Sequence, residues 1–182
     1  MQDPFFFGYG SLVNRRTHVY ERAHPAEAQG WRRLWRHTAG RDIAILTAVP
    51  AAPSDSIEGL IAAVPGGDWA ALDLREEAYD RLPATGAIRH DSDAGHIAIY
   101  SIPETKHPPA PAPCSILLSY LDVVVQGYFD VFGEAGVARF FETTDGWDAP
   151  VLDDRAAPLY PRAQKLSAQE TKLVDRWLSE LG

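Results

Sequence analysis

Apolar residues along this chain cluster in short, closely spaced runs, and only three stretches carry a helical period. Phe5, Phe6 and Phe7 form an aromatic run stopped by Gly8-Tyr9-Gly10, which predicts a buried strand entering a tight turn. Residues 14–23 are polar and read as a helical turn or loop. Further strands are predicted at 31–38, 43–49, 57–64 and 96–102, each rich in β-formers and bounded by Gly, Pro or Asp. Short strands at this spacing favour an antiparallel or mixed, barrel-like sheet over a βαβ wrap. Asp68 is placed to cap a helix running through Trp69, Leu72 and Arg75 toward Tyr79. Ser115 is placed to cap a second, almost wholly apolar and therefore buried helix over 116–132, ended by Gly133. Ser167 and Glu170 form a capping box ahead of Leu173, Val174, Trp177, Leu178 and Leu181, which share one helical face. The segment 103–113 holds five prolines and reads as a lid or linker. The expected architecture is a single α+β domain over 1–182: a small mixed β-barrel with flanking helices and a C-terminal helical part.

Composition narrows the functional classes. At 182 residues, 46% hydrophobic and 23% charged, the chain is that of an ordinary globular protein. A net charge of −8 argues against nucleic acid or a membrane surface as partner. The first 50 residues run against that balance, with Arg15, Arg16, Arg22, Arg32, Arg33, Arg36 and Arg41 outnumbering the acids there, a segment that could attract a small anion or simply be solvated. Cys114 is the one cysteine, which leaves no internal disulfide and no thiolate metal cluster. The N-terminal apolar run is too short for a secretory signal, so a cytoplasmic location is expected.

Several chemistries are excluded by spacing. A dinucleotide-binding Gly-x-Gly-x-x-Gly would need glycine at Val13, and no nucleophile elbow surrounds Ser11. The histidines at 18, 24, 37, 90, 96 and 107 match no metal-binding pattern, so no metal is expected. Two features remain. The turn from Gly8 to Leu12 gathers backbone N–H groups that could bind a carboxylate or phosphate. Adjacent glutamates, Glu76 and Glu77, lie about 100° apart on a helix, so at most one faces inward. Glu76, at i+4 from Leu72 and i−3 from Tyr79, is the inward one.

The residues Phe7-Gly8-Tyr9-Gly10-Ser11-Leu12-Val13-Asn14 resemble the Tyr-Gly-Ser-Leu substrate loop of the γ-glutamylcyclotransferase superfamily, which includes the AIG2-like and ChaC-like proteins. Leu72-Asp73-Leu74-Arg75-Glu76 is similar to its Leu-Asp-x-x-Glu segment, and 120–127 to its Tyr-Leu-x-x-Ile-x-x-Gly helix. The resemblance implies cofactor-free conversion of a γ-glutamyl group to 5-oxoproline with release of an amine or amino acid. It implies Glu76 as the catalytic carboxylate, and Tyr9, Gly10, Ser11, Leu12 and Tyr120 as substrate-binding residues. Val13 and Arg75 look more like the ChaC-type, glutathione-acting branch, whereas Glu77-Ala78-Tyr79 and residues 147–163 depart from it. Alternatives on the same fold are a γ-glutamyl amine substrate or a non-catalytic protein that binds a small anion.

Overall fold

The structure is a computed structural model that describes residues 2–103, 105, 106, 108, 110 and 112–181. Its strands are β1 (Phe5–Gly8), β2 (His24–Gln29), β3 (Trp31–Arg36), β4 (Ile45–Pro50), β5 (Ser56–Ala63), β6 (Asp80–Pro83), β7 (Ile88–His90), β8 (Ile97–Ser101), β9 (Ile116–Leu117), β10 (Thr144–Asp145) and β11 (Val151–Leu152). Its helices are α1 (Ala70–Arg75), α2 (Leu118–Glu142) and α3 (Ala168–Leu181).

The aromatic run becomes the central strand because it is apolar on both faces. β1 pairs antiparallel with β5 and parallel with β8. Phe5 and Phe7 enter the main core, while Phe6 packs on the opposite face with Leu12, Leu72 and Tyr100. Gly59 on β5 has no room for a side chain: a Cβ there would lie 2.3 Å from the Gly8 carbonyl oxygen. The sheet runs β6-β8-β1-β5-β2-β7. It is a mixed, open sheet and not the closed barrel that the spacing predicts. Its edges are short: β7 has three residues, and β6 ends in Pro83, which has no N–H to offer a further strand. A second sheet, β10-β3-β4, leans on the first where Ile102 donates to Thr47 Oγ1 and Ser101 to the Ala48 carbonyl.

The helices depart from expectation at their ends. α1 stops at Arg75, and Glu76 leaves the helical region at φ −103°, ψ 31°. α2 begins at Leu118 because Ile116 and Leu117 are taken by pairing with β11. Ser115 therefore does not cap it. The cap comes from Asp154, whose carboxylate accepts from the Ser119 amide at 2.7 Å and the Ser119 hydroxyl at 2.5 Å. Gly133 interrupts α2 at φ 67° without ending it, since glycine takes that conformation at no steric cost and the helix resumes to Glu142. α3 forms with its capping box as predicted: Ser167 N–H donates to Glu170 at 2.6 Å, and Glu170 N–H to Ser167 Oγ at 3.2 Å. The lid expected over 103–113 lies partly outside the described residues. No described helix is long and apolar enough to cross a membrane.

Candidate active site

The turn after β1 is held from behind and from both sides. Gly10 precedes a single 3-10 turn, Ser11–Val13, whose first bond runs from Val13 N–H to the Gly10 carbonyl at 3.0 Å. From below, the fully buried Arg33 donates to the Tyr9 carbonyl at 3.1 Å and to the Glu58 carbonyl at 2.7 Å. Its guanidinium lies about 5 Å from the Tyr128 and Phe140 ring centres, so carbonyls and π-faces stabilise its charge. From the side, Asn14 donates to the Val123 carbonyl and to Gln126, both at 2.9 Å. Gly127 makes this approach possible, because a Cβ there would sit 2.6 Å from the Asn14 backbone nitrogen.

Glu76 faces inward and Glu77 is exposed, as the helical spacing predicts. The Glu76 side chain is 13% exposed, and Arg75 Nε lies 3.1 Å from its carboxylate. Burial pushes the Glu76 carboxyl above the usual range; Arg75, and then Arg162, pull it partly back. Arg75 is committed to the protein itself. Beyond Glu76 it donates to the Thr17 carbonyl at 2.8 Å and to Ser11 Oγ at 3.2 Å, tying the carboxylate to the turn.

A cavity of about 270 Å³ opens beside Glu76, bordered by Ser11, Leu46, Tyr79, Tyr120 and Tyr160. A smaller inner chamber of about 30 Å³, wide enough for a group the size of one or two waters, is bordered by Tyr9, Gly10, Ser11, Leu12, Glu76 and Tyr120. All six residues singled out from the sequence thus meet in one place, with Ser11, Glu76 and Tyr120 facing both spaces. The Tyr9 hydroxyl is spent on the Tyr100 carbonyl at 2.6 Å, so that residue offers the chamber its ring. Tyr120 borders both spaces, and burial pushes its phenol well above the usual range.

Sequence reading missed Tyr160 and Arg162, which come from the segment that departs from the family pattern. They reach the cavity because Asp154 also accepts from the Leu159 amide at 2.9 Å, and the Tyr160 ring packs edge-on against Tyr120 at 5.0 Å. Arg41 was read only as one of the N-terminal arginines that could attract an anion, and Tyr79 only as a neighbour of Glu76; both border the cavity. Tyr79 donates to the Leu46 carbonyl at 2.8 Å, joining the end of α1 to β4. No group of three or more potential metal ligands occurs among the described residues.

No protein-family model and no curated protein sequence matches the chain. Solved structures do. A gamma-glutamyl cyclotransferase aligns at a TM-score of 0.61 and 15% identity, over 96% of this chain and 99% of its own. An uncharacterized human protein aligns at 0.60, with the same identity and coverage. YkqA of Bacillus subtilis aligns at 0.53 and 18% identity, over 80% of this chain and 57% of its own. At these identities the agreement is one of fold, and the fold is that of the γ-glutamyl cyclotransferases.

Proposed function

We propose that this chain, built on the γ-glutamyl cyclotransferase fold, converts a γ-glutamyl compound to 5-oxoproline and releases the amine that the γ-carbonyl carried. The observation that carries this reading is the placement of Glu76: a buried carboxyl with raised proton affinity, at the junction of a small inner chamber and a larger cavity. A γ-glutamyl head in the larger cavity would reach the inner chamber only with its α-carboxylate, set against the amides of Gly10, Ser11 and Leu12, with Tyr120 alongside. The leaving amine would then point into the larger cavity.

The reaction is an intramolecular aminolysis. The α-nitrogen forms a bond to the γ-carbonyl carbon, and the bond from that carbon to the amide nitrogen breaks. The α-ammonium gives up two protons, and the departing nitrogen gains two to leave as an ammonium. Glu76 takes a proton from the attacking nitrogen and delivers it to the leaving one, a shuttle for which proton affinity nearer neutrality than an ordinary carboxylate is suited. Holding nitrogen and carbonyl about 3 Å apart can supply about 7–11 kcal/mol of the barrier. No cofactor enters this chemistry.

The test is mass-spectrometric detection of 5-oxoproline after incubation with glutathione, γ-glutamyl-alanine and γ-glutamyl-ε-lysine in parallel. Product is expected from at least one, lost in Glu76→Gln and retained in Glu77→Gln. Equal activity in the two variants would remove Glu76 from the mechanism, and no product from any substrate would favour the binding-protein alternative.

A further inference from the structure

The turn after β1 is fastened by two side chains for which the cyclisation has no use. Its successive carbonyls at Ser11 and Leu12 meet two successive residues, Thr17 through Oγ1 at 2.9 Å and His18 through Nε2 at 3.1 Å. The Leu12–Val13 peptide unit is held at its other end too, where Val13 N–H donates to the Gly10 carbonyl at 3.0 Å. The peptide plane that closes the turn is therefore set from both sides. His18 can take part in only one form. Its second ring nitrogen, Nδ1, lies 3.2 Å from the Tyr20 amide nitrogen. An amide N–H can only donate and a carbonyl can only accept, so Nδ1 is bare and Nε2 carries the single ring proton. Burial, and then the nearby cations Arg75 and Arg15, oppose a second proton. Arg75 also donates to the Thr17 carbonyl at 2.8 Å, which clamps residues 17 and 18 between the turn and the end of α1, next to Glu76.

We infer that His18, as its Nε2–H tautomer, is a positioning residue: its bond to the Leu12 carbonyl fixes the turn whose amides receive the substrate α-carboxylate. This rests on the cyclotransferase reading for the ligand, and it adds a residue that borders neither the cavity nor the inner chamber. Amides fixed before binding spare the complex the cost of ordering them, so the contribution of His18 falls on KM more than on the chemical step. A proton on Nδ1 would set two donors face to face at the Tyr20 amide and release the ring from the turn. Glutamine at position 18 can place an amide N–H where Nε2–H stands, whereas the amide of asparagine is one bond too short.

The experiment pairs imidazole NMR with kinetics. At neutral pH, long-range proton–nitrogen correlations of the wild type are expected to show a pyrrole-like Nε2 and a pyridine-like Nδ1 for His18; the opposite tautomer or a charged ring would overturn the inference. With γ-glutamyl-alanine, His18→Leu is expected to raise KM by about three- to tenfold while kcat changes less, and His18→Gln to recover part of that loss. His18→Asn separates reach from folding, since it is as polar as the glutamine variant but is expected to behave like His18→Leu. Recovery in His18→Asn equal to that in His18→Gln, or a loss in kcat with KM unchanged, would remove the positioning role. Calorimetric binding of γ-glutamyl-alanine to Glu76→Gln, with and without His18→Asn, reads the same effect without turnover. A wild type that forms no 5-oxoproline, with binding still weakened by His18→Asn, would remove the cyclotransferase reading and keep the role of His18. Equal affinity of those two proteins would overturn the role whatever the turnover.

Discussion

A carboxyl group stripped of water holds its proton more firmly, and at Glu76 that works against the stability of the fold. The folded state binds more protons than the unfolded chain between the ordinary glutamate value of 4.5 and the raised folded value, so stability falls as pH rises through that window. Glu76→Gln mimics the protonated form. Thermal denaturation is expected to show the variant more stable than the wild type at neutral pH, with the gain vanishing below pH 4.5; a variant less stable at pH 7 would contradict it. His18 acts with the opposite sign. Burial, and then the nearby Arg75, depress its pKa from 6.5 to about 4, and its ring lies 3.1 Å from the Leu12 carbonyl. The unfolded chain binds the extra proton here, so stability is lost as pH falls from 6.5 toward 4, by about 3 kcal/mol in all. Urea titrations across that range should show a slope in the wild type that His18→Gln flattens. Of this paragraph's residues, Glu76 was legible from the Leu72–Glu76 resemblance and from a helical spacing that the chain leaves one residue before it. The contribution of His18 was not, because its burial depends on Phe6 and Tyr20, whose rings it meets at 5.7 and 5.8 Å.

At the scale of elements, glycines set how closely the parts of the site approach. A Cβ on Gly10 would fall 2.7 Å from the Tyr120 hydroxyl and 3.2 Å from Leu46. Gly10→Ala should therefore lower the melting temperature, and Tyr120→Phe in the same chain should recover part of the loss by removing the clashing oxygen; strictly additive effects would show that the two do not touch. At Gly127 the obstacle is the Asn14 backbone, which cannot rotate away. Gly127→Ala should cost about 1–3 kcal/mol or more in denaturant unfolding, with no single side-chain substitution relieving it. Elements with a strong local signal were readable: the phenylalanine strand, the capping box of α3 and the apolar α2. β2 was not, since His24, Pro25 and Glu27 are poor strand formers recruited by partners on either side, β5 and β7. The start of α2 was hidden for a similar reason, its cap lying 35 residues further along the chain.

Across the whole molecule, the basic N-terminal segment turns out to be distributed rather than pooled. Its arginines are partnered with acids from distant parts of the sequence, Asp93, Asp130 and Asp145 among them, so the segment's excess charge is neutralised by acids of the remainder. Pairing of this kind depends on tertiary placement, which is why counting charges along the chain could suggest a patch that the fold dissolves. Surface pairs such as Arg16 with Asp130 add little to stability, so moderate salt should leave the melting temperature in thermal scans nearly unchanged.

The contact between Asn14 and Gln126 continues outward, because Gln126 also donates to Glu170 at 3.1 Å and Glu170 closes the capping box of α3. The turn after β1 and the C-terminal helix are thus expected to open as one unit: transient unfolding of the helix withdraws an acceptor from Gln126 and loosens its hold on Asn14. Deuterium uptake should report this directly. In Glu170→Ala the amides of residues 13–17 should exchange faster together with those of α3, while the central β1 and β5 amides keep their protection.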